Sequence, residues 1–320
     1  TQSNALSIVI LAAGKGTRMK SDKAKVLHPV FYQPMAAHVI TAAQSLAPLQ
    51  SIAVIGHQAD AVQQALTSAL APFHCDFAIQ KEQRGTADAV SATESHLAKE
   101  AQTVLILCGD TPLIRPETLQ QLYSAHQKSG SKITLLTTTV ANPFGYGRII
   151  CDKENNITAI VEEKDASPEQ KEICEINAGI YCVEKEFLFS ALKQVDTNNN
   201  QKEMYLTDII SIAHRQGEKI KRFLAQDPLE VLGVNSRLEL AEAERELQLR
   251  HNHTLMAAGV SMIAPETIRI APTVQIAADT MLEPACHILG NTTIEGGCSI
   301  GRYRSSTPYP PTIKRKQREP

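Results

Sequence analysis

The residues whose types and spacing could support chemistry begin near the start of the chain, where glycines and basic side chains follow an apolar run. Gly14 and Gly16 come soon after the segment 6–11, and Arg18 and Lys25 follow them. An apolar, β-branched run that ends in small residues predicts a buried strand entering a tight turn whose backbone can approach a ligand. Backbone N–H groups beside a guanidinium and an ammonium suit several negative charges at once. The stretch therefore predicts a polyphosphate site.

Two better-known glycine loops do not fit this stretch. A dinucleotide fingerprint needs a third glycine where Met19 stands. A P-loop needs a glycine, four intervening residues, and then Gly-Lys followed directly by Ser or Thr, which this stretch lacks. The alternative is an ordinary turn from strand to helix with solvated basic side chains. The glycines alone leave both interpretations open.

A second apolar run, 103–108, ends in Gly109 and the carboxylate of Asp110. In an open α/β sheet, ligands bind outside the carboxyl ends of the strands. Mg²⁺ prefers one or two carboxylates together with substrate phosphates, so a phosphate loop and an aspartate at neighbouring strand ends complement each other. Taken alone, Asp110 is better explained as a turn residue before Thr111-Pro112. Together, the two stretches favour a metal ligand.

The segment 80–89 has the composition of a loop that reads a nucleobase. It supplies the amide of Gln80, a glycine at Gly85 that lets the backbone approach a planar ring, and a hydroxyl at Thr86. A uracil edge offers two carbonyl acceptors and one N–H donor, which Gln80 and the backbone around Gly85 and Thr86 could match, while a pocket of that size excludes purines. The alternative is a polar loop in which Thr86 caps a helix.

Three later segments offer the groups that a sugar site needs. Gly147 allows close approach, Glu162 supplies a carboxylate and Asn177 an amide. Sugar hydroxyls require acceptors, and an N-acetyl group requires a donor and an acceptor. For Glu162, which lies in a Glu-Glu-Lys-Asp run, a solvated charged surface is the alternative.

The elements that must position these side chains alternate between strand and helix. This alternation predicts an α/β domain with a doubly wound, mostly parallel sheet. The predicted strands after the first are 51–55, 77–79, 103–108 and 132–138, and the predicted helices are 34–46, 60–70 and 116–127.

The run LAAGKGTRM at 11–19, with KVLH at 25–28, resembles the signature of the nucleoside-diphosphate-sugar pyrophosphorylases. The chain from about 5 to 301 is similar to the bacterial bifunctional members, which join a UDP-N-acetylglucosamine pyrophosphorylase to a glucosamine-1-phosphate N-acetyltransferase. Cys108 stands where the family often has an aromatic residue, and Ala24 where proline is common. Neither difference removes a proposed ligand group.

The resemblance implies roles for individual residues. Arg18, Lys25 and Asp110 are implied to be catalytic, and Asp110 and Asn235 to bind Mg²⁺. Gly147, Glu162 and Asn177 are implied to hold N-acetylglucosamine, with Tyr205 and Thr207 beside them. An asparagine or threonine before a helix can also be a cap, which is the alternative for Thr207 and Asn235. The full implied substrate-binding set is Leu11, Ala12, Ala13, Gly14, Lys25, Gln80, Gly85, Thr86, Cys108, Gly109, Asp110, Gly147, Glu162, Asn177, Tyr205, Thr207 and Asn235.

The C-terminal third changes its periodicity. Residues 236–258 are rich in Leu, Ala, Glu and Arg and predict a long helix. Beyond it, apolar residues recur at every sixth position, which predicts a hexapeptide β-helix of about two coils, left-handed by resemblance. The repeat positions are Ile270, Ile276, Leu282, Ile288, Ile294 and Ile300.

We therefore expect four segments: a uridyltransferase domain (1–234), a linker helix (235–259), the start of the β-helix (260–301) and an irregular tail (302–320). The tail is rich in proline and basic residues and lacks an apolar face. The resemblance places the acetyl-CoA site in later coils, so we expect no acetyltransferase activity from these residues. Full-length relatives are implied to be homotrimers, and the oligomeric state of this chain stays open.

Composition narrows the function classes. The chain has 320 residues and a formal net charge of −2, so it lacks the broad basic surface expected of a nucleic-acid-binding protein. Its seven scattered cysteines include no Cys-x-x-Cys pair, which argues against a disulfide framework and a structural zinc site and favours a reducing cytoplasm. No apolar run is long enough to cross a bilayer, and no leader is visible.

The predicted reaction joins UTP and N-acetylglucosamine 1-phosphate to give UDP-N-acetylglucosamine and pyrophosphate, with Mg²⁺ as cofactor. The resemblance implies a role in peptidoglycan and lipopolysaccharide precursor synthesis. Two alternatives remain. One is a nucleotidyltransferase for another base or sugar, and the other is a non-catalytic regulatory subunit with the same fold.

Overall fold

We analysed a computed structural model of the chain, which describes residues 5–301. The predicted tail, 302–320, lies outside the described residues. Residues 5–301 divide into two compact units, one formed by 5–28 and Gln33–Ser236 and the other by Pro29–Tyr32 and 237–301.

The first unit is built on a nine-stranded sheet, and four of the six neighbouring pairs along its seven-strand main path are parallel. The strands formed by residues 5–236 are β1 (Leu6–Leu11), β2 (Pro29–Val30), β3 (Gln33–Pro34), β4 (Gln50–Ile55), β5 (Asp76–Ile79), β6 (Thr103–Cys108), β7 (Ile133–Thr139), β8 (Arg148–Cys151), β9 (Ile157–Val161), β10 (Glu175–Glu184) and β11 (Ile220–Leu224). Of these, β2 belongs to the second unit. The helices are α1 (Met35–Gln44), α2 (Ala59–Leu70), α3 (Thr86–Ser91), α4 (Pro116–Ser129), α5 (Pro168–Lys171), α6 (Lys185–Leu192) and α7 (Asp208–Arg215).

The main path of the sheet runs β11-β7-β10-β6-β1-β4-β5, and β8 and β9 form a hairpin beside β10. Strand β10 is antiparallel to both β6 and β7. The six elements predicted by periodicity besides 103–108 correspond to α1, β4, α2, β5, α4 and β7, within a few residues at each end. The predicted fold class is confirmed, and the antiparallel insertion of β10 refines it.

Helices cover both faces of the sheet because side chains of a buried strand alternate between the faces. In β1, Leu6, Ile8 and Ile10 pack in one core cluster with apolar residues of α1, α2 and α4. Val9 belongs to the other cluster, with residues of α3, α6 and α7. A continuous apolar run is thus the correct pattern for a strand buried on both sides.

Between residues 237 and 301, the second unit contains the long helix α8 (Arg237–Ala257) and seven strands of two residues each. Strands after β11 are β12 (Ser261–Met262), β13 (Arg269–Ile270), β14 (Gln275–Ile276), β15 (Met281–Leu282), β16 (His287–Ile288), β17 (Thr293–Ile294) and β18 (Ser299–Ile300). They form three small parallel sheets, β12-β15-β18, β13-β16 and β14-β17. Partners such as Arg269 and His287 belong to successive coils, and the repeat residues pack in one apolar cluster. The hexapeptide spacing therefore predicted the first coils of a β-helix correctly.

None of the helices formed by residues 5–301 combines the length and the apolar character that crossing a bilayer requires.

Candidate active site

The ends of β1 and β6 bring the glycine turn and Asp110 side by side. The two strands are parallel neighbours with Leu11 opposite Cys108, and the Gly109 N–H donates to the Leu11 carbonyl at 2.9 Å. Gly16 adopts φ 66°, and a Cβ there would lie 2.5 Å from the Cβ of Lys25. Only glycine allows this turn to pack against Lys25. The predicted meeting of the two strand ends is therefore present.

Four predicted site residues from three distant segments converge at this edge. The Lys25 ammonium donates to the Asp110 carboxylate and, at 2.9 Å, to Asn235 Oδ1. Arg18 Nη2 donates to the same Asn235 oxygen at 2.9 Å. The Val234 N–H donates to the Asp110 carbonyl at 2.8 Å, which fixes the segment before Asn235 against the end of β6. The cluster holds two cations against one carboxylate and is suited to a further anion.

The oxygen atoms of Asp110 and Asn235 fit the donor chemistry that Mg²⁺ prefers. Both already accept from one cationic group, Lys25, so they face the same position. A Cβ at Gly233 would lie 3.5 Å from both Asp110 carboxylate oxygens, so a larger side chain there would crowd the carboxylate. Within residues 5–301, no group of three or more His, Cys, Asp or Glu side chains could hold a metal. Water and substrate phosphates would have to supply the remaining ligands.

A cavity of about 320 Å³ lies beside this cluster. Its volume is at the lower end of the range usual for small-molecule sites. A larger cavity, of about 1280 Å³, lies at the opposite end of the sheet and includes none of the predicted site residues. The smaller cavity is lined by Leu11, Ala12, Ala13, Gly14, Lys25, Val26, Gln80, Gln83, Gly85, Thr86, Ala89, Cys108, Asp110 and Glu203.

Four of these lining residues were not predicted. Gln83 lies within the segment 80–89 that was predicted to read the base, so its position in the sequence could have identified it. Its Nε2 donates to the Ala13 carbonyl at 2.9 Å. Val26 and Ala89 are apolar neighbours of predicted residues. Glu203 comes from more than ninety residues further along the chain than Cys108 and Asp110. No local pattern identifies such a residue, because only the folded chain brings it to the cavity.

The base-reading segment is joined by hydrogen bonds to the segment around Met204. The Met204 N–H donates to the Arg84 carbonyl at 2.7 Å, and the Ala87 N–H donates to the Met204 carbonyl at 2.9 Å. The Leu206 N–H donates to Thr86 Oγ1 at 2.9 Å. Gly85 has φ 127°, and a Cβ there would lie 2.4 Å from the Met204 carbonyl oxygen. We call the three hydrogen bonds Met204 N–H to Arg84, Ala87 N–H to Met204 and Leu206 N–H to Thr86 the seam. The expected alternative, in which Thr86 caps the helix, is wrong: Gly85 is the N-cap of α3 and has no side-chain cap hydrogen bond, and the Thr86 hydroxyl instead holds a segment 120 residues away.

Cys108 forms a neutral wall of the cavity. Burial and, to a smaller extent, the Asp110 charge raise the pKa of its thiol to about 12, although the Lys25 charge lowers it. Its Sγ donates to the Gly179 carbonyl at 3.4 Å, and a Cβ at Gly179 would lie 2.8 Å from that sulfur. A thiol with so high a pKa stays protonated at neutral pH and is a poor nucleophile.

The residues predicted to hold the sugar form a second cluster around Glu162. A Cβ at Gly147 would lie 3.4 Å from both Glu162 carboxylate oxygens, and the Gly147 carbonyl accepts from the Asn177 N–H at 2.9 Å. Thr207 Oγ1 donates to Glu162 Oε1 at 3.2 Å. The Asn177 amide donates to Tyr181 Oη at 2.6 Å and accepts from the Gly179 N–H at 3.0 Å. One amide hydrogen of Asn177 remains for a ligand.

Two adjacent carboxylates in this region have opposite pKa shifts. Burial raises the pKa of Glu162, and the Thr207 hydrogen bond only partly opposes it. Burial also raises the pKa of Glu163, but hydrogen bonds from Arg148 and Gly145 outweigh it and leave that pKa below its usual value. Arg148 is 1% exposed and its Nη2 lies 2.7 Å from Glu163 Oε2. Glu163 therefore has a structural partner, whereas Glu162 is left for a ligand.

Tyr205 and Asp208 add two further groups with raised pKa values. Burial raises the pKa of Tyr205 to about 12, although Gln201 Nε2 donates to its hydroxyl at 2.7 Å. Burial, together with the charges of Asp196 and Asp165, also raises the pKa of Asp208 to about 6. Asp208 is the first residue of α7, a position that predicts an ordinary helix start, so sequence reasoning did not identify its unusual environment.

Comparison with known proteins gives one family and many relatives. Residues 7–229 match the model of the family described as "Nucleotidyl transferase". The chain is 49% identical over 297 residues to the "Bifunctional protein GlmU" of Desulfotalea psychrophila, covering 93% of this chain and 86% of the relative. It is 46% identical to the protein of the same name from Geobacter metallireducens, covering 92% of this chain but 61% of that relative. The chain thus spans less than two thirds of the length of this second relative.

Among solved structures, the chain resembles a Bacillus anthracis protein named, provisionally, as a glucose-1-phosphate thymidylyltransferase and crystallised with sucrose. The TM-score is 0.58 at 18% sequence identity, and the match covers 75% of this chain and 94% of the other. At this identity the likeness supports the fold alone. It agrees with the observed mostly parallel sheet covered by helices on both faces.

Proposed function

This chain belongs to the nucleotidyl transferase family, and from this premise we propose that it transfers the uridylyl group of UTP to N-acetylglucosamine 1-phosphate. The products would be UDP-N-acetylglucosamine, a precursor for cell-wall synthesis, and pyrophosphate. The single observation that supports the proposal most is the convergence of Arg18, Lys25, Asp110 and Asn235 beside a cavity of about 320 Å³.

The proposed chemistry needs alignment and charge stabilisation and no covalent enzyme intermediate. A phosphate oxygen of the sugar phosphate attacks the α-phosphorus of UTP in line, and the bond from that phosphorus to the bridging oxygen breaks as pyrophosphate leaves. Lys25 and Arg18 would stabilise the negative charge of the transferring and leaving groups, together with the backbone N–H groups of the Gly14 turn. Both cations are already held in one place by Asn235.

We propose Mg²⁺ as the cofactor, held by Asp110 and Asn235. When bound, it would neutralise phosphate charge and polarise the reacting phosphate. The Lys25 ammonium donates to both of these side chains, so it would either move away from them or share their oxygens with the metal when substrate binds. Gln80 and the backbone at Gly85 would read the uracil, and Glu162, Asn177 and Thr207 would hold the sugar. Two observations support these contacts: Gln80 and Gly85 line the cavity, and Thr207 donates to Glu162.

The test is pyrophosphate release from UTP and N-acetylglucosamine 1-phosphate, with and without Mg²⁺, for the wild type and Asp110→Ala. Loss of the metal ligand should lower kcat/KM about a thousandfold, since a bound metal contributes several kcal/mol to the transition state. CTP, GTP, dTTP and glucose 1-phosphate form the substrate panel.

The matched control is Glu184→Ala, which also removes the carboxylate partner of a lysine, Lys132, but at the opposite end of the sheet. We expect this variant to retain wild-type turnover. A folded wild type that releases no pyrophosphate, or an Asp110→Ala variant as active as the control, contradicts the proposal. Preference for dTTP over UTP would move the assignment to another sugar-nucleotide pyrophosphorylase.

A further inference from the structure

The side-chain amide of Gln80 has its orientation fixed by two acceptors. Its Nε2 donates to the Gly85 carbonyl at 3.0 Å and to Asp88 Oδ2 at 2.9 Å. Neither a carbonyl nor a carboxylate can donate, so the reversed amide would place its oxygen against two other oxygens. Gln80 is 6% exposed, which makes such a mismatch costly. The amide group therefore has one allowed orientation.

Asp88 is itself held in place by Arg84. Arg84 Nη2 and Nε donate to Asp88 Oδ1 at 2.6 and 3.1 Å, and the other Asp88 oxygen remains for Gln80. A guanidinium is a donor only, so each carboxylate oxygen has a distinct partner. We propose that Asp88, held by Arg84, is a positioning residue that fixes the amide of Gln80 with its oxygen available to the nucleobase.

The consequence for a ligand is that Gln80 offers an acceptor and no donor. Both amide hydrogens are engaged, and among residues 5–301 no donor forms a hydrogen bond with Oε1. Gln80 lines the cavity beside Lys25 and Asp110. An acceptor there matches the N3–H donor of uracil and opposes the N3 acceptor of cytosine. This inference deepens the proposed function and rests on it for the identity of the base.

The same arrangement occurs once more in this unit, where it is not near the cavity. Gln50 Nε2 donates to Asp76 Oδ2 at 2.7 Å and to the His96 carbonyl at 3.0 Å, and His74 bonds the other Asp76 oxygen. The Gln50 oxygen, however, accepts from the Ala98 N–H at 3.0 Å. Gln50 is thus fully paired and structural. It provides a control in which the identical change has no route to a ligand.

The decisive variant is Asp88→Asn. The amide oxygen of the new asparagine should stay with Arg84, which can only donate. The new NH₂ group then faces Gln80. Gln80 then has one neighbour that favours each orientation, and its amide is no longer fixed. Asp76→Asn makes the equivalent change at Gln50. Both substitutions preserve side-chain size, and thermal unfolding of each variant verifies that it folds.

The measurement is the Kd for UTP and for CTP, each with Mg²⁺, by calorimetry. We expect the wild type to favour UTP, and Asp88→Asn to reduce the ratio of the two Kd values about tenfold, the effect of one hydrogen bond. Asp76→Asn should leave the ratio unchanged, whatever it does to stability. Equal binding of UTP and CTP by the wild type, an unchanged ratio in Asp88→Asn, or an equal change in Asp76→Asn each overturns the inference.

Turnover separates this inference from the proposed function. If the wild type prefers UTP in binding and loses the preference in Asp88→Asn, yet releases no pyrophosphate, the positioning role stands and the proposed reaction fails. If pyrophosphate is released and the ratio does not respond to Asp88→Asn, the reaction stands and the positioning role fails.

Discussion

The two halves of the candidate site treat charge in opposite ways. In the nucleotide half, which we define as residues 11–25 and 80–89 with Asp110 and Asn235, the Asp110 carboxylate is compensated by Lys25. In the sugar half, defined as residues 145–165, 177 and 203–208, Glu162 and Asp208 are acids with raised pKa values. Under the proposed function, the first half would accept a polyanion and a metal, and the second a ligand with many hydroxyl groups. The difference suggests that metal removal will act on the first half and pH on the second.

The comparison fails if the two halves cannot be changed independently of each other. The largest effect should therefore come from a change at the seam, which both halves share. Gly85→Ala should lower the stability of the first unit by about 3 kcal/mol, because φ 127° is strained for any other residue and the new Cβ would lie 2.4 Å from the Met204 carbonyl oxygen. Because the seam would open, KM should rise for both substrates. Thermal unfolding and steady-state kinetics measure the two effects.

Gly130→Ala is the control for Gly85→Ala. Gly130 has φ 61°, but nothing lies within 4 Å of a Cβ there, so the loss should be about 1 kcal/mol without a change in KM. Equal losses in the two variants, or a normal KM for both substrates in Gly85→Ala, would contradict the role of the seam.

A second variant sharpens the comparison by changing the sugar half alone. Glu162→Gln keeps the acceptor for Thr207 but removes the charge that a sugar hydroxyl would meet. We expect KM for N-acetylglucosamine 1-phosphate to rise about thirtyfold, the worth of a charged hydrogen bond, with little change in KM for UTP. Glu172→Gln, an exposed site ten residues on, should change neither value. A larger change for UTP than for the sugar phosphate would refute the division.

The smallest effect concerns pH. The pKa of Asp208 is about 6 in the folded chain and near 3.8 when unfolded, so between these values the folded state binds more protons. Stability must therefore fall as pH rises through that window, and the loss is complete above it. Asp208→Asn should raise stability by about 1 kcal/mol at pH 7.5 and by little at pH 4, after allowing for partial exposure and the favourable α7 N-terminus.

Thermal unfolding at the two pH values measures this effect, as a shift of about 2–4 °C at pH 7.5. Asp152→Asn is the control of opposite sign, because hydrogen bonds from the Asn156 backbone and side chain lower the pKa of Asp152 and that variant should lose stability at neutral pH. A gain at pH 4 equal to that at pH 7.5 would contradict the assignment.

The nucleotide half was the more predictable half, for a physical reason. Its turn, strand ends and base-reading segment are each continuous in sequence, and parallel strands must end at the same edge of a sheet. Gly14, Gln80 and Asp110 could therefore be placed near one another from local patterns. The hexapeptide repeat was predictable in the same way, since one apolar residue per six faces the interior of every coil.

The sugar half could not be assembled from local patterns. Its residues lie on the β8–β9 hairpin, on β10 and before α7, and these meet because β10 runs antiparallel between β6 and β7. Such pairing depends on long-range packing, so Glu162 and Asn177 were assigned by resemblance. Asp88 and Arg84 were missed for a related reason. Their importance lies in what they do to the Gln80 amide, and composition does not record hydrogen-bond direction.

The seam has a consequence for how the two substrates influence each other. Three hydrogen bonds join the base-reading segment to the wall of the sugar half, so ordering one segment also orders the other. A nucleotide that restrains the first therefore reduces the conformational entropy that the sugar phosphate must overcome. Linkage makes this coupling free energy reciprocal, and each substrate should raise the affinity of the other by the same factor.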